Sequence, residues 1–258
     1  PGAGDGVWSG LETLGGRLYF AGIDPAHGRE LWASDGTPTG TLRLTDVYSG
    51  PGDGADGYLA AAGGTIFFSA DDGAHGSELW RLTPPGAPAL VADILSGAAG
   101  SQPQGLTAWG NKLIFHAAGA GGREPWVSDG TLTGTFRLKD IEAGAGGSSP
   151  GGFPPNVFTP VGGRVFFAAS NAPAGRELWV TDGTPTGTLQ VRDIVTGSGS
   201  SSPEALVAFN GLLLFTADDG AHGRELWRSD GSLASARPYA LTARASSTSR
   251  RSHSSPSS

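Results

Sequence analysis

Cysteine and methionine are both absent from this chain of 258 residues. The first absence removes disulfides, thiolate zinc sites and thiol catalysis together. The second means that Pro1 is not a translation start, so a processed chain or a fragment is expected. Lysine is nearly missing as well, since 15 of the 17 basic residues are Arg. No apolar run approaches the ~18 residues a membrane helix needs, so no membrane insertion is expected. Positive charge is scarce: the formal net charge is −7, and the last 22 residues hold four Arg and no acid. The remaining body therefore sets 13 basic against 24 acidic residues, a balance of −11. Such a surface repels nucleic acid and anionic membranes, and it suits divalent cations, neutral sugars or basic partners. No glycine loop ends in the Lys-Ser/Thr of a phosphate cradle, and Gly197-Ser198-Gly199-Ser200-Ser201 reads as a low-complexity loop rather than a nucleophile elbow.

What the chain has in excess is glycine, 44 residues, with 18 Pro beside it. So many turn-formers point to disorder unless they recur with a period. They do. Arg-Glu-Leu-Trp-Ala-Ser-Asp-Gly-Thr at 29–37 returns with small changes at 123–131, 176–184 and 224–232, and a degraded copy, Ser-Glu-Leu-Trp-Arg-Leu-Thr, stands at 77–83. The motif tryptophans, Trp32, Trp80, Trp126, Trp179 and Trp227, are separated by 48, 46, 53 and 48 residues.

Each unit carries four strand signals in one order. A short first strand (Leu11–Leu14, Tyr58–Ala62, Gly105–Trp109, Asn156–Val161, Ala205–Phe209) ends at a Gly or Asn dipeptide, the chemistry of a two-residue hairpin. A continuous apolar run follows, such as Ile66-Phe67-Phe68, the pattern of a strand covered on both faces. The third strand is Glu-x-Trp. The fourth alternates apolar and polar residues, as in Leu42–Thr45, Phe136–Lys139 and Leu189–Arg192, and its polar side chains protect an edge. Four strands every ~48 residues is the arithmetic of a β-propeller blade. The expectation is an all-β β-propeller of five four-stranded blades over residues 1–236, or a portion of a larger propeller. A Ser/Arg-rich tail spans 237–258, disordered from about 244, with Pro238–Thr242 as a poor last strand.

The Glu-Leu-Trp-x-x-Asp-Gly-Thr string resembles that of the bacterial ELWxxDGT-repeat proteins over about residues 7–236. The resemblance implies propeller-like, secreted or surface proteins, and it brings no catalytic residues with it. Blade two departs by losing Asp-Gly-Thr, and blade three has Pro125 for Leu.

Scaffold roles account for the motif residues. Asp35, Asp129, Asp182 and Asp230 precede a turn glycine and can accept amide hydrogen bonds. The tryptophans are expected between blades, the motif glutamates as acceptors for loops, and Asp46, Asp93, Asp140 and Asp193 as anchors for crossovers. Functional signal is sought where copies differ. The loops between second and third strands read Asp24-Pro25-Ala26-His27-Gly28, Asp71-Asp72-Gly73-Ala74-His75-Gly76 and Asp218-Asp219-Gly220-Ala221-His222-Gly223 in blades one, two and five. In a closed ring these three form one arc, which Asp53 and Asp56 of the first crossover join. Asp71, Asp72, Asp218 and Asp219 are then calcium candidates, with His27, His75 and His222 on the same rim. One His per loop argues against zinc, and good turn chemistry explains the same residues without any metal. Trp8 and Trp109 lie outside the motif and are candidates for stacking on a sugar. No other cofactor is expected. The functional expectation is a non-enzymatic binding module, extracellular or at the cell surface, monomeric or part of a larger chain, with an unknown protein or glycan as partner. A propeller lectin is the alternative.

Overall fold

The computed structural model describes residues 7–150 and 157–239, without the side chains of residues 7–9. Among the described residues there is no helix, and the strands form five antiparallel sheets of four, each in chain order. Blade one is β1 (Val7–Leu14), β2 (Arg17–Asp24), β3 (Gly28–Ser34) and β4 (Leu42–Arg43). Blade two is β5 (Ala55–Ala62), β6 (Thr65–Asp71), β7 (Ser77–Leu82) and β8 (Ala89–Ala92). Blade three is β9 (Gln104–Trp109), β10 (Lys112–Gly119), β11 (Gly122–Ser128) and β12 (Phe136–Arg137). Blade four is β13 (Thr159–Val161), β14 (Arg164–Asn171), β15 (Gly175–Thr181) and β16 (Leu189–Arg192). Blade five is β17 (Glu204–Phe209), β18 (Leu212–Asp218), β19 (Arg224–Ser229) and β20 (Arg237–Pro238). The repeat is therefore a propeller blade.

The hairpin dipeptides take the backbone their residue types permit. Gly15 and Gly16 have φ of +59° and +75°, and Asn210 and Gly211 have +49° and +77°, the left-handed pair that matches strand twist. Each sheet then registers the same aromatic pair. Phe20 faces Trp32, and Phe68–Trp80, Phe115–Trp126, Phe167–Trp179 and Phe215–Trp227 repeat it.

The second strands are buried on both faces because each blade is sandwiched. Ile66, Phe68 and Ala70 of β6 pack with Tyr19 and Leu31 of blade one, whereas Phe67 packs with Leu113 and Phe115 of blade three. The motif Trp points to the preceding blade: Trp80, Trp126, Trp179 and Trp227 each join the core shared with it. Trp32, on blade one, joins none of these cores and is half-buried, as Trp80 and Trp126 are; Trp179 and Trp227 are buried.

Four such cores link blades one to two, two to three, three to four and four to five. Among the described residues none joins blade five to blade one, and Val207 and Phe209 on the outer face of blade five are 50% and 53% exposed. Of the expected arc of Asp/His loops in blades five, one and two, a shared core among the described residues joins blades one and two. The last fourth strand is Arg237–Pro238, continued by a bond from the Tyr239 amide to the Leu226 carbonyl at 2.7 Å. The blade thus runs slightly past the expected boundary at 236. Residues 240–258, with most of the expected tail and of the Pro238–Thr242 strand, lie outside the described residues.

Candidate functional site

Most motif side chains are occupied within the scaffold. Asp35 Oδ1 accepts from the Thr37 amide at 2.9 Å and the Thr37 hydroxyl at 2.7 Å, and Asp129, Asp182 and Asp230 do the same for residues 131, 184 and 232. Glu78 is fully buried and clasps the following crossover: it accepts from the amides of Ile94, Leu95 and Ser101 and from the Ser101 hydroxyl at 2.6 Å. Glu124 and Glu177 make the same clasp with Ser148 and Ser201, and Glu30 makes a variant with Thr45. Burial raises all four carboxyls above their ordinary range, with these donors working the other way. Glu225 alone among the five is exposed. The strand-ending aspartates split in their roles: Asp193 accepts from the Gly197 amide of the crossover at 3.2 Å, but Asp46 and Asp140 pair with Arg43 and Arg137 instead.

The Asp/His loops form three copies of one device. His27, His75 and His222 each place Nδ1 2.8–2.9 Å from a carboxylate oxygen of Asp24, Asp72 and Asp219. The same carboxylates accept the amides two and three residues on, so these aspartates brace their own turn. Asp71 and Asp218 likewise accept from Gly73 and Gly220 at 2.7 Å. The four calcium candidates are therefore engaged in turn chemistry. Calcium takes roughly six to eight oxygens, whereas the one metal-capable group among the described residues is Asp219, His222 and Glu225. Asp53 serves the scaffold, accepting the Arg29 amide at 2.9 Å and pairing with its guanidinium at 3.2 Å. Trp109 is half-buried against the core between blades three and four, its ring beside Gly183, rather than a free stacking platform. The side chain of Trp8 lies outside the described residues.

A different feature is concave. A cavity of about 290 Å³ opens between blades two and three, lined by Asp56, Tyr58, Ser69, Ser77, Gln102, Pro103 and Gln104. At its wall Asp56 Oδ2 accepts from the Ser69 hydroxyl at 2.9 Å and from Ser77. Of these residues, Asp56 is suggested by the sequence reading as a neighbour of the rim. The others are not, although a signal exists: Ser77 occupies the position held by Arg29, Arg123, Arg176 and Arg224 in the other four units.

No protein-family model matches the chain, and no curated protein matches its sequence. Solved structures do match its fold. A structure from a study of two prolyl endopeptidases is 14% identical, with a TM-score of 0.59, over 91% of this chain and 34% of that one. A puromycin-hydrolyzing peptidase of Mycobacterium tuberculosis is 17% identical, with a TM-score of 0.54, over 85% and 36%. TolB from Acinetobacter baumannii is 15% identical, with a TM-score of 0.48, over 88% and 53%. This chain spans about a third to a half of these proteins. At such identities the likeness is one of fold.

Proposed function

We propose that the chain is a non-enzymatic protein-interaction module of a secreted or cell-surface bacterial protein of the ELWxxDGT-repeat type. One observation carries this reading. The recurring polar residues are spent on turns and crossovers, while the copies diverge on the face that carries the Asp/His loops and the cavity at Ser77. A scaffold constant in its core and variable on one face is how repeat proteins present binding surfaces. The localisation rests on the motif resemblance.

Cross-linking of the chain in its native setting, followed by reconstitution with the purified partner, tests this. Cross-links on that face to a partner that rebinds in pure form support the proposal. Turnover of a peptide or glycoside by the purified chain overturns it. Binding on a glycan array, accompanied by a change in Trp fluorescence, favours the lectin reading instead.

A further inference from the structure

The cavity of blade two lies where its sister blades hold a guanidinium. In blade three, Arg123 Nη1 donates to the Gln102 carbonyl at 2.8 Å and lies 3.0 Å from His116 Nδ1. Burial, with the Arg123 charge beside it, pushes His116 down to about 4, so its ring is neutral and accepts. In blade four, Arg176 Nη1 donates to the Ser149 carbonyl at 3.0 Å. In blade five, Arg224 Nη1 donates to the Ser202 carbonyl at 3.0 Å and the Thr216 hydroxyl at 3.3 Å, and pairs with Glu204 at 3.4 Å. The strand registers make Ser69 the counterpart of His116 and Thr216, and Ser77 that of Arg123 and Arg224. Blade two thus keeps the hydroxyl, and it keeps a crossover carboxylate, Asp56, one residue away from the counterpart of Glu204. It lacks only the cation. The equivalent crossover carbonyl, that of Ala55, is met from blade one by Arg29, which is not among the residues lining the cavity.

We propose that this cavity binds a guanidinium, and that the natural ligand is an arginine side chain presented by a partner protein. Asp56 supplies the counter-charge: Oδ2 is held by two serine hydroxyls, and Oδ1 accepts no hydrogen bond among the described residues. With Oδ2 engaged by both hydroxyls, a guanidinium gives one N–H to Oδ1 and turns its other in-plane donors to the wall oxygens, which a point-like lysine ammonium spans less well. The Gln102 and Gln104 side chains offer amide oxygens, and Tyr58 offers a ring wall. Two guanidinium charges oppose entry: that of Arg123, which borders the cavity through Gln102, and that of Arg29, which sits on the Ala55 carbonyl next to Asp56. The net charge of −7 favours a basic partner over the molecule as a whole.

The partner in this inference rests on the interaction-module reading, but the probe tests the cavity alone. The intact chain is titrated with N-acetyl-arginine amide, with the citrulline and lysine analogues as controls, and amide and side-chain NMR shifts are followed at Ser69, Ser77, Gln102 and Gln104. Saturable shifts with arginine, at least tenfold weaker with citrulline and with lysine, are expected. Asp56→Asn is expected to weaken binding about tenfold or more. Ser77→Arg fills the cavity with the residue the other blades carry, so it is expected to fold normally and to abolish binding. Absence of saturable shifts, equal binding of citrulline, or parent-like binding by Ser77→Arg overturns the proposal. None of these results bears on partner capture, so the module reading and the cavity fail separately.

Discussion

Three Asp–His pairs at 2.8–2.9 Å give the residue scale its clearest chemistry. Hydrogen bonding to Asp72 and Asp219, then their charge, raises His75 and His222 above the ordinary value of 6.5. Reciprocally, the His222 ring and the backbone amides hold Asp219 well below the usual carboxylate range. A histidine whose folded pKa is raised contributes stability that is fully present below its unfolded pKa and is lost as pH rises through the folded value. The contribution of these two is therefore complete below about 6.5 and fades above it. His222 is exposed and His75 keeps 42% of its side chain in solvent, so the effect belongs to the loops rather than to global stability. NMR titration is expected to give both midpoints above 6.5, and Asp219→Asn to bring His222 back toward 6.5 while leaving His75 in place. A His222 midpoint unmoved by Asp219→Asn would mean that the pair is not formed in solution.

At the scale of one blade and its crossover, the motif glutamate is the clasp. Glu177 accepts three amides, of Ile194, Val195 and Ser201, and the Ser201 hydroxyl, in a fully buried place. Glu177→Ala leaves those donors without an acceptor, at roughly 1–3 kcal/mol for an unsatisfied buried group. A loss of about 3 kcal/mol in urea unfolding is expected. Glu225→Ala is the internal control: same motif, exposed side chain, and an expected change within ~0.5 kcal/mol. Comparable losses in both variants would refute the clasp. Part of this was legible in the sequence. A Glu beside Trp on a central strand needs hydrogen-bond donors, so the acceptor role of Glu177 follows from its type. That Ser201, 24 residues on, is the partner does not follow, because a residue type states a need and only the fold states who meets it. The fourth strand of blade one shows the same limit. Its alternation predicts Leu42–Thr45, yet β4 stops at Arg43 because Thr45 turns its hydroxyl inward, accepting from the Leu31 amide at 3.0 Å and donating to Glu30 at 2.6 Å. The Ser77 cavity was written in the sequence as a broken motif, but its chemistry needed the registers that place Ser69 and Asp56 beside it.

For the whole molecule, the count and order of blades follow from the period, whereas closure does not, since each unit specifies only its neighbours. The described residues form four interblade cores in series. Among the described residues, blades two, three and four are packed on both faces, and blades one and five on one. In such an array stability is a sum of unit and interface terms, so loss of one interface is felt on both sides of it. Trp179, 5% exposed, lies in the core between blades three and four. Truncating a large buried aromatic costs about 3–5 kcal/mol. Trp179→Ala is expected to lose that much, whereas Trp32→Ala, half-buried and outside the four cores of the described residues, is expected to lose less than half of it. Native-state hydrogen exchange resolves the same gradient without mutation. Amides of β10 and β14, in blades covered on both sides, are expected to exchange only with global unfolding. Those of β18, whose outer face includes the half-exposed Leu212 and Leu214 beside Val207 and Phe209, are expected to exchange through a cheaper opening of blade five alone. Equal protection of β18 and β10 would require the outer face of blade five to be covered in solution, and the serial arrangement of blades would then be wrong.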